Sequence, residues 1–209
     1  MAFNISLVMT CLAKSRPLFH SEADFQHAFA WEMQKQLPNS SIRLEKPIQT
    51  FNGFVHLDVL VQNQNKAIAI ELKYKTKLFS IDTPTESFNL RNHSARDIGC
   101  YDFIKDIRRV ENICMSNPNT NGYAILLTND GAYWRSPTSN TTVDAAFRLH
   151  EGRLLSGEVA WGVGASSGTM KSRENPILLS SSYSMKWHDY SYLTNSGSPT
   201  FRYLMVAVK

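Results

Sequence analysis

The chain has 209 residues, of which 43% are hydrophobic and 19% are charged, a composition that is typical of a globular protein and excludes a largely disordered one. The 22 Lys and Arg residues outnumber the 18 Asp and Glu residues, and the resulting charge of +4 is compatible with a polyanionic partner without indicating one by itself. Three cysteines without C-x-x-C spacing exclude a disulfide framework and a zinc knuckle.

The length suits one domain, and we expect residues 1–209 to form it. The apolar run at residues 5–13 lacks the basic start of a secretory signal, so we expect it to pack on the domain as an N-terminal element. No stretch is long and apolar enough to span a bilayer. These features predict a cytoplasmic protein without a membrane partner.

Residues 21–37 carry the clearest helix signal, because Ser21 can cap a helix and apolar side chains then recur at helical spacing. These side chains are Phe25, Phe29 and Met33. Residues 41–51 predict a short strand that ends at Pro47, and Asn52-Gly53 predicts a turn before the next strand.

Residues 96–115 predict a second amphipathic helix, and residues 122–130 predict a strand that is buried on both faces. Residues 200–209 predict a closing strand. The elements therefore predict an α/β fold with a mixed sheet. Its core is residues 20–130, in the order helix, three-stranded meander, helix and strand, and residues 131–209 add a β-rich C-terminal elaboration.

The hairpin at residues 56–77 has an unusual distribution of charge. If Gln64-Asn65 is a two-residue turn, residues whose numbers sum to 129 face each other, and Asp58 lies opposite Glu71. Strand alternation adds Lys73 to the same face. The other face then carries six aliphatic side chains: Leu57, Val59, Val61, Ile68, Ile70 and Leu72.

Two carboxylates this close repel each other at neutral pH unless a proton, a basic group or a divalent metal lies between them. Oxygen ligands from Asp58, Glu71 and the backbone carbonyl of Leu72 suit a hard ion such as Mg²⁺. Lys73 is then placed to hold or deprotonate a metal-bound water. Such a group of residues is suited to the hydrolysis of phosphodiesters.

The pattern Asp-x12-Glu-x-Lys at residues 58, 71 and 73 resembles the signature of the PD-(D/E)XK nuclease superfamily. The resemblance implies a restriction-endonuclease-like core and cleavage of nucleic acid, DNA above all, with Mg²⁺ or its substitute Mn²⁺. It also implies that Asp58 and Glu71 bind the metal and that Lys73 is the catalytic lysine. The sequence departs from the signature at Leu57, where many members have proline.

Many members of this superfamily supply a further glutamate from the first helix. Glu22 and Glu32 are both candidates here, and Glu22 is favoured because it lies on the inward stripe. The alternative for Glu22 is a charge that only favours the helix N-terminus.

A set of basic residues could line a path for phosphates: Lys75, Lys77, Lys105, Arg108 and Arg109. The alternative is a solvated face on which Asp102 and Asp106 pair locally with Lys105 and Arg109. Two other functions stay open, a non-catalytic module that binds nucleic acid or protein, and an α+β domain with structural ion pairs. The aromatic residues at 183–192 suit a core or a subunit contact, so a homodimer is one option.

Overall fold

A computed structural model describes residues 4–51, 53–193 and 200–209 of the chain. Within these residues the four α-helices are α1 (Ile5–Ser15), α2 (Glu22–Gln36), α3 (Arg96–Ser116) and α4 (Ser167–Met170), with a 3-10 turn at Ala145–Phe147. The strands are β1 (Ser41–Thr50), β2 (Gly53–Asn63), β3 (Lys66–Lys75), β4 (Phe79–Asp82), β5 (Ser87–Leu90), β6 (Thr120–Thr128), β7 (Leu154–Leu155), β8 (Glu158–Val159), β9 (Ile177–Leu178), β10 (Tyr183–Ser184), β11 (Trp187–Tyr192) and β12 (Thr200–Val208).

The fold is mixed α/β and is organised by a six-stranded mixed sheet in the order β1-β2-β3-β6-β12-β11. Strands β1, β2 and β3 form an antiparallel meander, and β6 lies parallel to β3. A parallel neighbour requires a crossover, which is supplied by the β4–β5 hairpin and helix α3. The predicted order of helix, meander, helix and strand is therefore present in the chain.

Helices α1 and α2 cover one face of the sheet. The Ser21 hydroxyl accepts a hydrogen bond from the Asp24 backbone N–H at 3.1 Å and caps α2 as predicted. The predicted apolar stripe of Phe25, Phe29 and Met33 is fully buried against this face of the sheet. The first run of apolar residues also forms a helix, α1, which packs beside α2.

Strand β1 does not end at Pro47, as its sequence predicted, but continues to Thr50. This strand is the outer edge of the sheet, and an edge strand tolerates a residue that has no backbone N–H to donate. At the following turn, Gly53 has a φ of +106°, which favours glycine. Asn52, the other half of the predicted turn, lies outside the described residues.

Helix α3 covers the other face and is itself covered on its far side. Residues from the C-terminal third, including Phe147, Leu149, Tyr183 and Met185, pack in one core with α3 and β6. The predicted closing strand is confirmed as β12, which pairs with β6 inside the main sheet. Within the described ranges, no helix combines the length and apolar character needed to cross a bilayer.

Candidate active site

The predicted register of the β2–β3 hairpin is confirmed from Val59↔Ile70 to Asn63↔Lys66, where each pair of residue numbers sums to 129. The ladder stops at Val59, so the predicted pair of Asp58 opposite Glu71 is not part of it. Beyond it, the Leu72 backbone N–H donates to Asp58 Oδ2 at 2.6 Å. The Asp58 carboxylate therefore takes the place of a strand carbonyl, at the point where β2 and β3 separate. We call this point the strand split.

The sequence prediction that Leu57 shares a face with Val59 and Val61 is wrong. Leu57 packs with Leu60, Ala69 and Ile113 on the α3 side, whereas Val59 and Val61 pack under α1 and α2. The alternation of faces is interrupted at Asp58, which is missing from the β1–β2 ladder together with its opposite residue, Glu45. Glu45 has a φ of +48°, so the backbone is irregular on both strands at this point.

Lys73 lies beside the strand split, as the alternation along β3 predicted. Its ammonium Nζ is 3.1 Å from Asp106 Oδ2 and 3.8 Å from Glu22 Oε1, and it donates to the Leu72 carbonyl at 3.5 Å. Carboxylates from two helices thus surround a lysine from the central sheet. Most of the Lys73 side chain is buried, which strengthens these interactions relative to a solvent-exposed pair.

Glu71 is the most deeply buried acid of the group, with 1% of its surface exposed. Its Oε2 accepts a hydrogen bond from Arg109 Nη1 at 2.8 Å, and Arg109 also lies 3.5 Å from Asp106 Oδ1. The second oxygen, Glu71 Oε1, is buried and has no hydrogen-bond partner in the described part of the chain. A buried carboxylate oxygen without a partner is costly, so this atom is available to a cation or a proton.

The electrostatics of the site favour protons or cations on the acids. Burial, followed by the nearby carboxylates of Asp106 and Asp58, raises the pKa of Glu71 despite the opposing effect of Arg109. Burial also raises the pKa of Asp106 and of Asp58. Burial alone would lower the pKa of Lys73, but the surrounding carboxylates raise it above its ordinary value. Lys73 is therefore held as an ammonium ion.

Of the two candidate glutamates on α2, Glu22 lies at the site. Glu22 Oε2 accepts a hydrogen bond from the Tyr74 backbone N–H at 2.8 Å, on the strand that carries Lys73. Glu32 instead contacts Lys35 and Gln36 of its own helix. Ten residues of helix separate the two glutamates, a distance of about 15 Å, so Glu32 cannot reach the strand split.

Sequence reasoning missed Gln26, which lies one helical turn after Glu22. Its Nε2 donates to the Asp58 carbonyl at 2.9 Å and to Glu45 Oε1 at 2.7 Å. Gln26 therefore joins the backbone of Asp58 on β2 to the side chain of Glu45, the opposite residue on β1. Its spacing of four residues from Glu22, on an inward helical face, is the signal that was available.

Sequence reasoning also missed Asp106 as a residue of the site, because it considered this acid only in the alternative of a solvated face. Asp106 is 2% exposed and contacts Lys73. Its position three residues after Phe103 and four before Val110 places it on the inward stripe of α3. An acidic residue on an otherwise apolar inward stripe is the sequence signal that could have identified Asp106.

The basic residues proposed as a phosphate path are distributed differently from the expectation. Arg109 points into the site, Arg108 pairs with Glu111 at 2.9 Å, and Lys77 pairs with Asp130 at 3.3 Å. Of the local pairs in the solvated-face alternative, Asp106 with Arg109 is present at 3.5 Å, whereas Asp102 pairs with Arg173. Arg108 does not lie on a solvated face, because it contacts Ser180 from the C-terminal third. Lys75 and Lys105 have no ion pair with any described residue.

The site can offer a metal only a small number of protein ligands. In the described ranges, no three His, Cys, Asp or Glu side chains are arranged to hold a metal ion. Mg²⁺ commonly takes one or two carboxylates and completes its shell with waters and substrate phosphate, so Asp58 and Glu71 fit this ion better than Zn²⁺. Lys73 would have to leave the Leu72 carbonyl if that oxygen is to bind the ion.

No protein family model, curated protein or solved structure matches this chain. A functional assignment therefore depends on the geometry of the strand split.

Proposed function

We propose that the protein is a Mg²⁺-dependent nuclease of the PD-(D/E)XK type, which hydrolyses phosphodiester bonds at the strand split. The observation that carries this proposal is that Asp58, Glu71 and Lys73 lie where β2 and β3 separate, close enough for the charge of Asp58 to act on both Glu71 and Lys73. A site of partly buried acids beside a lysine is unusual for a purely structural sheet, because buried charges rarely stabilise a fold more than apolar packing does.

The order of the elements supports the same proposal. Helix α2, the β1–β2–β3 meander, helix α3 and the parallel strand β6 follow the order expected of a restriction-endonuclease-like core. Glu22 adds the further glutamate from the first helix that the resemblance implies. These features extend the resemblance beyond a three-residue pattern.

Asp58, Glu71 and the Leu72 carbonyl are the groups that would hold Mg²⁺, with Glu22 beside them. When bound, the ion would acidify a water molecule and offset the charge of the phosphate. A cation would give the buried Glu71 Oε1 a partner. It would also favour the ionised forms of Asp58 and Glu71, whose pKa values are raised. The protein's own side chains would donate hydrogen bonds to the reacting groups and hold the acids in position.

Lys73 and Arg109 are the cations that the chain supplies. The Lys73 ammonium is charged, so it would donate hydrogen bonds to the attacking water or to a phosphate oxygen. The Arg109 guanidinium fixes the orientation of Glu71 through Oε2 and leaves Oε1 free. Gln26 would hold the backbone of Asp58, so that its carboxylate keeps its position between the strands.

Cleavage of supercoiled plasmid and of single-stranded DNA by the purified chain tests this function, with Mg²⁺ or Mn²⁺ against EDTA. We expect cleavage only with a divalent ion, and a loss of at least about 100-fold in Asp58→Ala and Lys73→Ala. Glu32→Ala is the matched control and should retain full activity, because Glu32 lies on α2 outside the site. Metal-dependent cleavage that survives in Lys73→Ala would contradict the mechanism.

A second candidate is a binding module that has the same fold and no turnover. The observation that favours it is the pairing of acids with internal cations, Glu71 with Arg109 and Asp106 with Lys73, which neutralises charge without a metal. This candidate predicts salt-sensitive binding of DNA by the wild-type protein without cleavage in any metal. Binding that is unaffected by Asp58→Ala would then support it.

A further inference from the structure

At the strand split, acidic and basic side chains of helix α3 contact side chains of opposite type on strand β3. The helix supplies Asp106 to the strand's Lys73, and it supplies Arg109 to the strand's Glu71. Arg109 also lies 3.5 Å from Asp106, three residues earlier on the same helix. The four side chains therefore form two contacts between an acidic and a basic residue, and each contact joins the helix to the central sheet.

Asp106 has the closest contact with Lys73 of the described acids. The distances from Lys73 Nζ are 3.1 Å to Asp106 Oδ2 and 3.8 Å to Glu22 Oε1. The Asp106 side chain is 3% exposed, whereas that of Glu22 is 43% exposed. A buried side chain on a long helix has fewer orientations than an exposed one, so Asp106 restricts the position of the ammonium more than Glu22 does.

Stability alone gives little reason to place this carboxylate in the interior. Replacement of a buried ion pair by apolar residues of similar volume is often neutral or stabilising. Asp106 occupies a position on the inward stripe of α3 between Phe103 and Val110, where an aliphatic residue would pack. The Asp106 carboxylate provides a charged contact for the Lys73 ammonium, which an aliphatic residue would not provide.

We propose that Asp106 is a positioning residue for Lys73: it anchors the ammonium beside Asp58 and Glu71 without itself binding the metal. This inference rests on the proposed function, and it deepens the description of that site. Arg109 completes the arrangement, because it occupies one oxygen of Glu71 and lies against Asp106. Asp58 and Glu71 Oε1 are then the groups left to bind a cation, because Asp106 Oδ2, which also has no hydrogen-bond partner among the described residues, lies 3.1 Å from the Lys73 ammonium.

Asp106→Asn tests the proposal, because it keeps the shape of the side chain and removes its charge. We expect kcat to fall by about 100-fold, as for a misplaced catalytic group, while KM changes less than about threefold. Affinity for Mn²⁺, measured by electron paramagnetic resonance, should change less than about threefold, whereas Asp58→Asn should lower it more than about tenfold. Asp102→Asn is the control, because Asp102 is one turn earlier on α3 and pairs with Arg173 away from the site.

A second measurement does not depend on turnover. Lysine ammonium groups that are buried and hydrogen-bonded exchange protons slowly, so they appear in a ¹⁵Nζ–¹Hζ correlation spectrum. We expect one such signal that is absent in Lys73→Ala, is lost or displaced in Asp106→Asn and persists in Asp102→Asn. If Asp106→Asn does not fold, Asp106→Glu displaces the carboxylate and should move the same signal.

A double variant decides whether Asp106 acts through Lys73. If it does, adding Asp106→Asn to Lys73→Ala causes no further loss of kcat. A full additional loss, a fall in Mn²⁺ affinity like that of Asp58→Asn, or an unchanged ammonium signal in Asp106→Asn would overturn the proposal. If the wild-type protein cleaves nothing, the proposed nuclease function fails, and the ammonium signal still decides whether Asp106 anchors Lys73.

Discussion

The effect of pH on metal binding is the most direct quantitative test of whether Asp58 and Glu71, the acid pair of the site, bind a cation. Burial and the neighbouring Asp106 and Asp58 raise the pKa of Glu71 from its ordinary value of 4.5 to about 9. A cation that binds Glu71 must therefore displace a proton throughout the neutral range. Its affinity should rise about tenfold for each pH unit, because one proton is released for each ion bound.

The effect of Mg²⁺ on Tm can be calculated from the dependence of cation affinity on pH. A cation at about ten times its Kd stabilises the folded protein by about 1.4 kcal/mol. For a chain of this length that amounts to a rise in Tm of about 3–6 °C. Lowering the pH from about 8.5 to about 6.5 should weaken binding about 100-fold, so the same concentration of Mg²⁺ should then shift Tm by less than about 0.5 °C.

The cation-free protein should respond to pH in the opposite direction. A raised carboxyl pKa stabilises the folded state while the group holds its proton, and this contribution is complete below 4.5 and is lost as the pH rises toward about 9. In EDTA, Tm should therefore fall between about pH 6.5 and about pH 8.5, and Mg²⁺ should restore it at the higher pH.

Differential scanning fluorimetry at the two pH values, with EDTA or Mg²⁺, measures both effects. Glu71→Gln should abolish the Mg²⁺-dependent shift and flatten the pH dependence, because the titrating group is gone. Glu158→Gln, at an exposed position on β8, should behave as the wild type does. Equal Mg²⁺ shifts at both pH values, or no shift at either, would refute the reasoning about the acid pair.

Two further predictions compare matched pairs of positions. Glu22→Gln should reduce the Mg²⁺-dependent shift in Tm at high pH and Glu32→Gln should not, because only Glu22 reaches the strand split; equal effects would contradict this placement. Gly122→Ala should destabilise the fold by about 1–3 kcal/mol in urea unfolding, because the new Cβ would lie 2.1 Å from Val110 Cγ1. Gly168→Ala meets only one atom, at 3.9 Å, and should be close to neutral.

The hairpin register could be predicted because its determinants are local. A two-residue turn fixes which residues face each other, and the pairing follows for as long as the ladder continues. The face of Leu57 could not be predicted, because alternation assumes an uninterrupted strand. The interruption at Asp58 involves Glu45 on another strand and Gln26 on a helix, and neither contact is visible in the spacing of the hairpin.

The surroundings of Asp106 and Arg108 could not be predicted for a different reason. A single amphipathic helix is expected to have one buried and one solvated face, but α3 is covered by the sheet on one side and by C-terminal residues on the other. The C-terminal residues that cover the far side of α3 lie far along the chain. The strands β7, β8 and β9 in this region are only two residues long. Such short elements carry almost no periodic signal.

The position of β12 has a consequence for how the protein is made. This strand pairs with one edge of β6 while β3 pairs with the other, so every acid and base of the strand split is synthesised before β12 leaves the ribosome. Until then β6, which is apolar on both faces, has an unpaired edge that could join another nascent chain. A polypeptide that terminates before residue 200 should therefore aggregate.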